Sequence, residues 1–543
     1  MARPGLALAT RLLLAAVPLT ALGLFFAYPV AGILLRGLRP DGAWELGAVI
    51  EVLARERVHR VLWFTLWSAA AGTTLAVVLG LPVAWALHRL RFPGRDLLRA
   101  LVLVPFVLPT VVVGVAFRQL LAPSGPLGGL GLDGTAVAIV LALAFFNVSV
   151  VVRTVGSFWE GHDPRREEAA AALGASPWQV WWTVTLPGIR PAVVSAASVV
   201  FLFCATAFGV VLTMGGLRYA NVETEIYLLT TQELDLAGAA ALSLLQLAVV
   251  VGLLGVSARA RRGSGPVARS PRPLPRPGVR HLGVLAWTAA VVAFLMTPLV
   301  SLLVASLRRG DGWGLQNYAA LATTGEGNAL LVPVTRALTT SLTVALQASA
   351  FALLLGTLVA YLVSRPRRGS GAAVLDGLFM LPLGVSAVTV GFGFLITLDR
   401  PPLDLRSAAL LVPVAQAMVA LPLVVRTVAP VLHSVDDRQR QAAASLGAGP
   451  LRVLRTVDLA VAWRALLAAA GFAFAVSLGE FGATAFLARD DDPTLPVVIY
   501  RLIGQPGAEN FGMAMAASVV LAGTTTLVVL GVQRLRVGSA GAF

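Results

Sequence analysis

Twelve stretches of about twenty or more residues carry almost no charge, and that pattern decides what this chain can fold into. They run over residues 10–35, 61–87, 99–120, 136–157, 190–213, 238–258, 281–306, 339–363, 374–398, 407–432, 464–487 and 511–533. In hydrocarbon every backbone N–H and C=O must find a partner within the chain, so such stretches are expected as helices. Of the 543 residues, 57% are hydrophobic and 13% charged, far too few charges to clothe a water-soluble surface of this size. The expected fold is an all-α integral membrane protein with about twelve transmembrane helices. The first stretch is longer than a signal-peptide core and lacks a small-x-small cleavage site, so it is read as an uncleaved helix.

The chain also repeats itself. Arg153-Thr154-Val155 recurs as Arg426-Thr427-Val428, Leu173-Gly174-Ala175 as Leu446-Gly447-Ala448, and Pro177 and Thr183-Val184 as Pro450 and Thr456-Val457. Pro109 and Pro382 keep the same spacing, 273 positions throughout. A fixed period of this kind marks a duplicated unit. Between the copies lies RARRGSGPVARSPRPLPRPGVR, residues 259–280, with seven arginines, five prolines and no acid. Such a segment cannot bury a core and reads as a tether. The organisation is therefore a first half at 1–258, a linker at 259–280 and a second half at 281–543. Six helices in each half is an even number, so the two repeats run in parallel.

The net charge is +15 and every one of the 42 basic residues is arginine. In a soluble protein this would point to nucleic acid, but here the distribution is that of a membrane protein. With both termini in the cytoplasm, most arginines, including the seven of the linker, fall on the cytoplasmic side and most acids outside. No nucleic-acid partner is expected. Phosphate-binding loops need a lysine on the phosphates, and the chain has none. The five histidines show no metal-ligand spacing, no nucleophile–base grouping stands out, and the single Cys204 reads as a packing residue in an apolar helix. No catalytic residue, no metal site and no cofactor bound by this chain is expected.

Residues 165–187 carry a different signal. Asp163-Pro164 is a helix start, with an acceptor at the cap and proline in the first turn. RREEAAAAL is made of strong helix formers, and Gly174 is free to take the left-handed conformation that closes a helix. Ser176-Pro177 starts a second helix, whose far end Pro187 is expected to limit. The second copy has Ser434 or Asp436 as cap, the helix QRQAAASL, the turn at Gly447 and a restart at Gly449-Pro450. Small alanines let a partner surface approach closely. Trp178, Trp181 and Trp182 are also placed to act as interfacial anchors.

Glu168-Ala169-Ala170, Gly174 and Val184-Thr185-Leu186-Pro187 resemble the EAA loop of ABC importer permeases, EAA-x3-G-x9-I-x-L-P, with Val for Ile. The second copy, Gln441-Ala442-Ala443 with Gly447, departs from it at Gln441 and at Ala460, which replaces the proline. The resemblance implies a cytoplasmic coupling loop in each half, carried by Glu168, Ala169, Ala170, Gly174, Leu186, Pro187, Gln441, Ala442, Ala443 and Gly447. It implies two copies of an ABC ATPase subunit, an extracytoplasmic substrate-binding protein, surrounding membrane lipid and alternating access in a prokaryotic cell membrane. ATP hydrolysis would belong to the separate chain.

The fused halves and the text LGEFGATAFLARDDDPTLPVVIYRL resemble the ferric-iron and thiamine branch of these permeases, with iron slightly ahead. Sulfate and molybdate permeases carry similar text, and a twelve-helix secondary transporter is the competing class. Glu480 is read as lying in the eleventh helix, either on the substrate path or paired with an arginine such as Arg118, Arg153 or Arg426. Asn147, Thr206, Gln416 and Glu480 are the candidate path residues. Glu223, Glu225, Glu233, Asp235 and Asp490 to Asp492 are read as a solvated face or as part of a dock for the binding protein.

Overall fold

The computed structural model describes residues 15–39, 44, 46–161, 165–216, 218–261, 274–310, 312–364, 385–399 and 403–535. The expected helix start at Asp163-Pro164, the repeat partner Pro382, the beginning of the ninth apolar stretch and most of the linker lie outside these residues. Among the described residues, helices dominate, and the strands are two residues each, β1 (Arg308–Arg309) and β2 (Gly312–Trp313), paired antiparallel.

Among the described residues, ten helices are long and apolar enough to cross a membrane. They are α1 (Ala15–Leu38), α2 (Glu56–Arg89), α5 (Ala136–Glu160), α7 (Pro177–Ala205), α10 (Leu236–Leu253), α11 (Val279–Leu307), α12 (Val334–Val363), α14 (Leu411–His433), α16 (Leu451–Leu478) and α19 (Ala508–Val532). Shorter helices fill the chain order between them: α3 (Arg95–Val107), α4 (Thr110–Leu121), α6 (Arg165–Ala172), α8 (Phe208–Gly215), α9 (Val222–Thr231), α13 (Ala387–Thr397), α15 (Asp437–Ser445), α17 (Thr484–Leu487) and α18 (Leu495–Gly504).

The expected span at 99–120 is not straight. It is the pair α3 and α4, bent by 103° at a short break. A residue preceding proline is disfavoured in the helical region. Leu108, before Pro109, accordingly sits at φ −68° and ψ 140°, and Pro109 at ψ 137°. The expected spans at 190–213 and 464–487 are broken as well. One stops at Ala205 and resumes at Phe208, and the other stops at Leu478 and resumes at Thr484. Glu480 is therefore in a helix break and not inside a helix.

The chain forms two compact units. One holds Arg55–Glu225 with Ala248–Leu307; the other holds Met1–Ala54, Ile226–Leu247 and Arg308–Phe543. In the first, α2 packs along α5, both against α7, and α11 packs on α4 and α2. In the second, α12 packs along α14, both against α16, with α19 beside α16 and α1 on α13. The helix that opens each sequence repeat is thus a member of the unit built mainly from the other repeat.

Small residues make the long contacts. On α2, Ala69, Gly72, Ala76, Gly80 and Ala84 are buried, and a Cβ at Gly80 would press on Val151 of α5. On α12, Ala345, Ala348, Ala352, Gly356 and Ala360 repeat the arrangement, with Gly356 against Val424 of α14. Backbones come close where side chains are small, which is how helices associate in lipid without a hydrophobic drive between them. Three buried hydroxyls on these helices are satisfied within their own helix: Thr65, Thr73 and Ser349 donate to the carbonyls of Val61, Ala69 and Ala345.

Candidate coupling site

The two helix–turn–helix segments have the same backbone. In the first, α6 ends with Gly174 at φ +87°; in the second, α15 ends with Gly447 at φ +85°. Ala175 N–H donates to Ala170 O at 3.1 Å and Gly174 N–H to Ala171 O at 3.0 Å. Ala448 to Ala443 and Gly447 to Ala444 repeat this pair, both at 3.0 Å. These are the two bonds of a Schellman closure, which needs a left-handed residue at the position glycine occupies.

Helix starts follow the sequence as well. Ser176 caps α7 in a reciprocal box with Gln179, at 3.3 Å and 2.8 Å. Asp436, and not Ser434, caps α15 by accepting from Arg438 N–H at 2.9 Å. Pro187 does not limit the helix: α7 runs through it to Ala205. A five-residue π-turn, Trp181–Thr185, precedes the proline, and its counterpart Leu454–Asp458 lies 273 positions on. The second turn forms although Ala460 stands in place of the proline, so the proline is not its cause.

Leu173 and Leu446 stand at the turn tips, each 89% exposed. Glu168, Ala169, Gly174, Pro187, Gln441, Ala442 and Gly447 are exposed around them, while Ala170, Leu186 and Ala443 are half-buried. Trp178 and Trp182 are exposed and meet edge-on in the first segment.

Each segment is fastened to its base by charged groups that sequence reading passed over. Glu167 accepts from Arg89 at the end of α2 at 2.8 Å with one oxygen. Its other oxygen accepts from Thr185, the last residue of the π-turn, at 3.0 Å. At the equivalent position Arg440 donates to Asp458, the last residue of the second π-turn, at 2.7 Å. It also donates to Asp437 at 2.5 Å, Leu432 O at 2.8 Å and Val435 O at 3.1 Å. Burial works against the Arg440 charge, but the hydrogen bonds to Asp458 and Asp437 more than offset it, so its pKa is raised. The signal was in the repeat: Glu167 aligns with Arg440 and Thr185 with Asp458.

The candidate path residues are dispersed. Gln416 and Glu480 come together through Thr484: Gln416 Nε2 donates to Thr484 Oγ1 at 3.0 Å, which donates to Glu480 at 2.5 Å. Glu480 also accepts from the N–H groups of Ala483 and Thr484, at 2.7 Å and 3.1 Å. The partners that hold it thus come from its own turn, where an arginine was the alternative expectation. Asn147, buried, donates to Leu143 O and to Cys204 Sγ, and Thr206 donates back to Leu202 O. Among the acids read as a solvated face, Glu223 and Glu225 are buried, with Arg57 on Glu225 at 2.6 Å. Asp490, Asp491 and Asp492 are exposed, and the hydrogen bond from Arg489 holds Asp491 below the usual carboxylate range.

Residues 76–262 match the family model of the inner membrane component of binding-protein-dependent transport systems. The sulfate transport system permease protein of Escherichia coli (strain K12) is 35% identical over 212 residues, 38% of this chain and 76% of its own length. The molybdenum transport system permease protein of Mycobacterium bovis is 34% identical over 249 residues, 44% of this chain and 91% of its own. The chain belongs to this permease family. Over 462 residues, the permease is also 29% identical to the thiamine transport system permease protein of Escherichia coli (strain K12), covering 82% of this chain and 83% of that one. This permease is an ABC importer subunit, a transport component and not an enzyme.

Proposed function

We propose that this permease imports thiamine, taking it from an extracytoplasmic binding protein and driven by two copies of a separate ATPase subunit that hydrolyses the ATP. The observation that carries the coupling reading is the pair of identical Schellman turns presenting Leu173 and Leu446, each on a helix of exposed alanines. Two like protrusions, one per repeat, suit two copies of one partner. In this reading Glu168, Ala169, Ala170, Gly174, Leu186 and Pro187 form the first docking loop, and Gln441, Ala442, Ala443 and Gly447 the second. Both loops, the linker and both termini face the cytoplasm, as the arginine distribution favours. Lipid surrounds the long helices, and the chain carries no cofactor of its own.

Thiamine is put ahead of ferric iron because relatives that match four-fifths of this chain are thiamine permeases. Asn147, Thr206, Gln416 and Glu480 remain the candidates for the path. The deciding measurement is uptake of labelled thiamine, iron, sulfate and molybdate in a strain deleted for this gene and complemented with it. Loss of thiamine uptake on deletion and its return on complementation support the reading. Unchanged thiamine uptake with loss of sulfate or molybdate uptake would replace the cargo and leave the permease intact.

A further inference from the structure

Force applied at a turn tip reaches the membrane only if the protruding helix and the membrane helix move as one body. The contacts that would make them one body are unusual. In both repeats the first turn of the protruding helix is tied to the last residue of the π-turn from which the membrane helix continues. The two ties sit at the same repeat position yet have opposite polarity, a carboxylate on a hydroxyl in one and a guanidinium on a carboxylate in the other. Asp458 is fully buried and the Arg440 side chain 9% exposed. Arg440 further reaches Leu432 O at the end of α14, and Glu167 reaches Arg89 at the end of α2. Each tie therefore spans three elements: the protruding helix, the π-turn and the end of a neighbouring membrane helix. Drift has exchanged the chemistry while the connection persists, which a merely decorative surface pair would not require. π-Turns are local irregularities that a helix retains at functional positions.

We propose that Glu167 and Arg440 are positioning residues that lock each coupling loop to the π-turn of its membrane helix, so that ATPase movement is passed to the pathway. This rests on the docking reading above. Arg440→Ala would leave Asp458 buried without this guanidinium, so the conservative probe is Asp458→Asn, which keeps shape and an acceptor while removing charge. Thr185→Val removes one hydroxyl from the first tie at nearly constant shape, and serves as the second probe if the Asp458 variant accumulates poorly.

The test uses the whole importer, reconstituted in vesicles with its ATPase and binding protein. Three quantities are read: ATPase retained on purification, ATP hydrolysed, and substrate taken up. With the ties as couplers, both variants keep the ATPase and hydrolyse ATP. Uptake per ATP falls about tenfold or more for Asp458→Asn, where a charged hydrogen bond is weakened, and roughly threefold for Thr185→Val. Asp458→Glu, which restores the charge, recovers most of the ratio. A constant uptake-to-ATP ratio in both variants overturns the proposal, whether or not less complex is recovered. Failure of the docking reading looks different: Gly174→Val and Gly447→Val would then retain the ATPase and transport as wild type.

Discussion

Replacing Gly174 by valine is the sharpest test of the turn geometry. Gly174 lies at φ +87°, and an added Cβ would meet no atom within 4 Å. The penalty is then conformational and not steric. A left-handed residue with a side chain costs about 1–2 kcal/mol, more for a branched one. If the turn relaxes instead, the bonds from Ala175 to Ala170 O and from Gly174 to Ala171 O open with it. A cost of that size lowers the population of the native turn by roughly 5–30-fold. The membrane helices are untouched, so abundance in the membrane should stay at the wild-type level while uptake falls by a similar factor. Gly447, at φ +85° and equally open, should follow, with a smaller loss because its loop has already departed from the pattern at Gln441. Gly174→Asn, which tolerates the left-handed region, should retain most uptake. Membrane abundance by immunoblot, ATPase recovered by affinity purification and initial uptake rate are the three readings. Wild-type uptake by both valine variants would refute the reasoning.

Glu480→Ala strips the acceptors from the N–H groups of Ala483 and Thr484 and should cost about 1–3 kcal/mol; it is checked by thermal denaturation in detergent, and an unchanged midpoint would show that the carboxylate does not hold the break. Gly391→Ala brings a Cβ to 2.7 Å from Ala483 Cα, backbone that cannot swing away, and should destabilise by roughly 1–3 kcal/mol, whereas Gly252→Ala, with nothing within 4 Å, should be neutral or slightly stabilising in the same assay. Cutting the gene within the linker and expressing both pieces together should retain uptake, while neither piece alone transports; uptake lost on cutting, with both pieces present in the membrane, would give the linker a role beyond that of a tether.

Much of this architecture was legible because its signals are local or periodic. Apolar length gave the long helices, the repeat gave the paired loops, and Gly174, Ser176 and Gly447 act through backbone preferences that a few residues determine. Hydropathy could not give direction, so 99–120 read as one span although Pro109 and the residue before it turn the chain through 103°. Likewise Glu480 read as an intrahelical charge because averaged polarity does not register a break closed by that residue's own carboxylate. Glu223 and Glu225 looked solvated since acids usually are, yet both are buried, and Glu225 pairs with Arg57, far away in sequence. Glu167 and Arg440 escaped notice because a repeat search rewards identity, and their relationship is a reversal.

The exchange of opening helices has a consequence for biosynthesis. Helix α1 leaves the ribosome early, yet α13, on which it packs through Gly32 and Gly393, is made about 350 residues later. At about 5–20 residues per second that is a wait of roughly 20–70 s. During it Pro29 and Ile33 of α1 lack the Gly393 surface they pack on. The unit holding α2 to α8 likewise stays open until α11 emerges. Neither unit can close until the ribosome has crossed into the second repeat, so a truncated first half would present an unfinished surface to the lipid and to quality-control proteases.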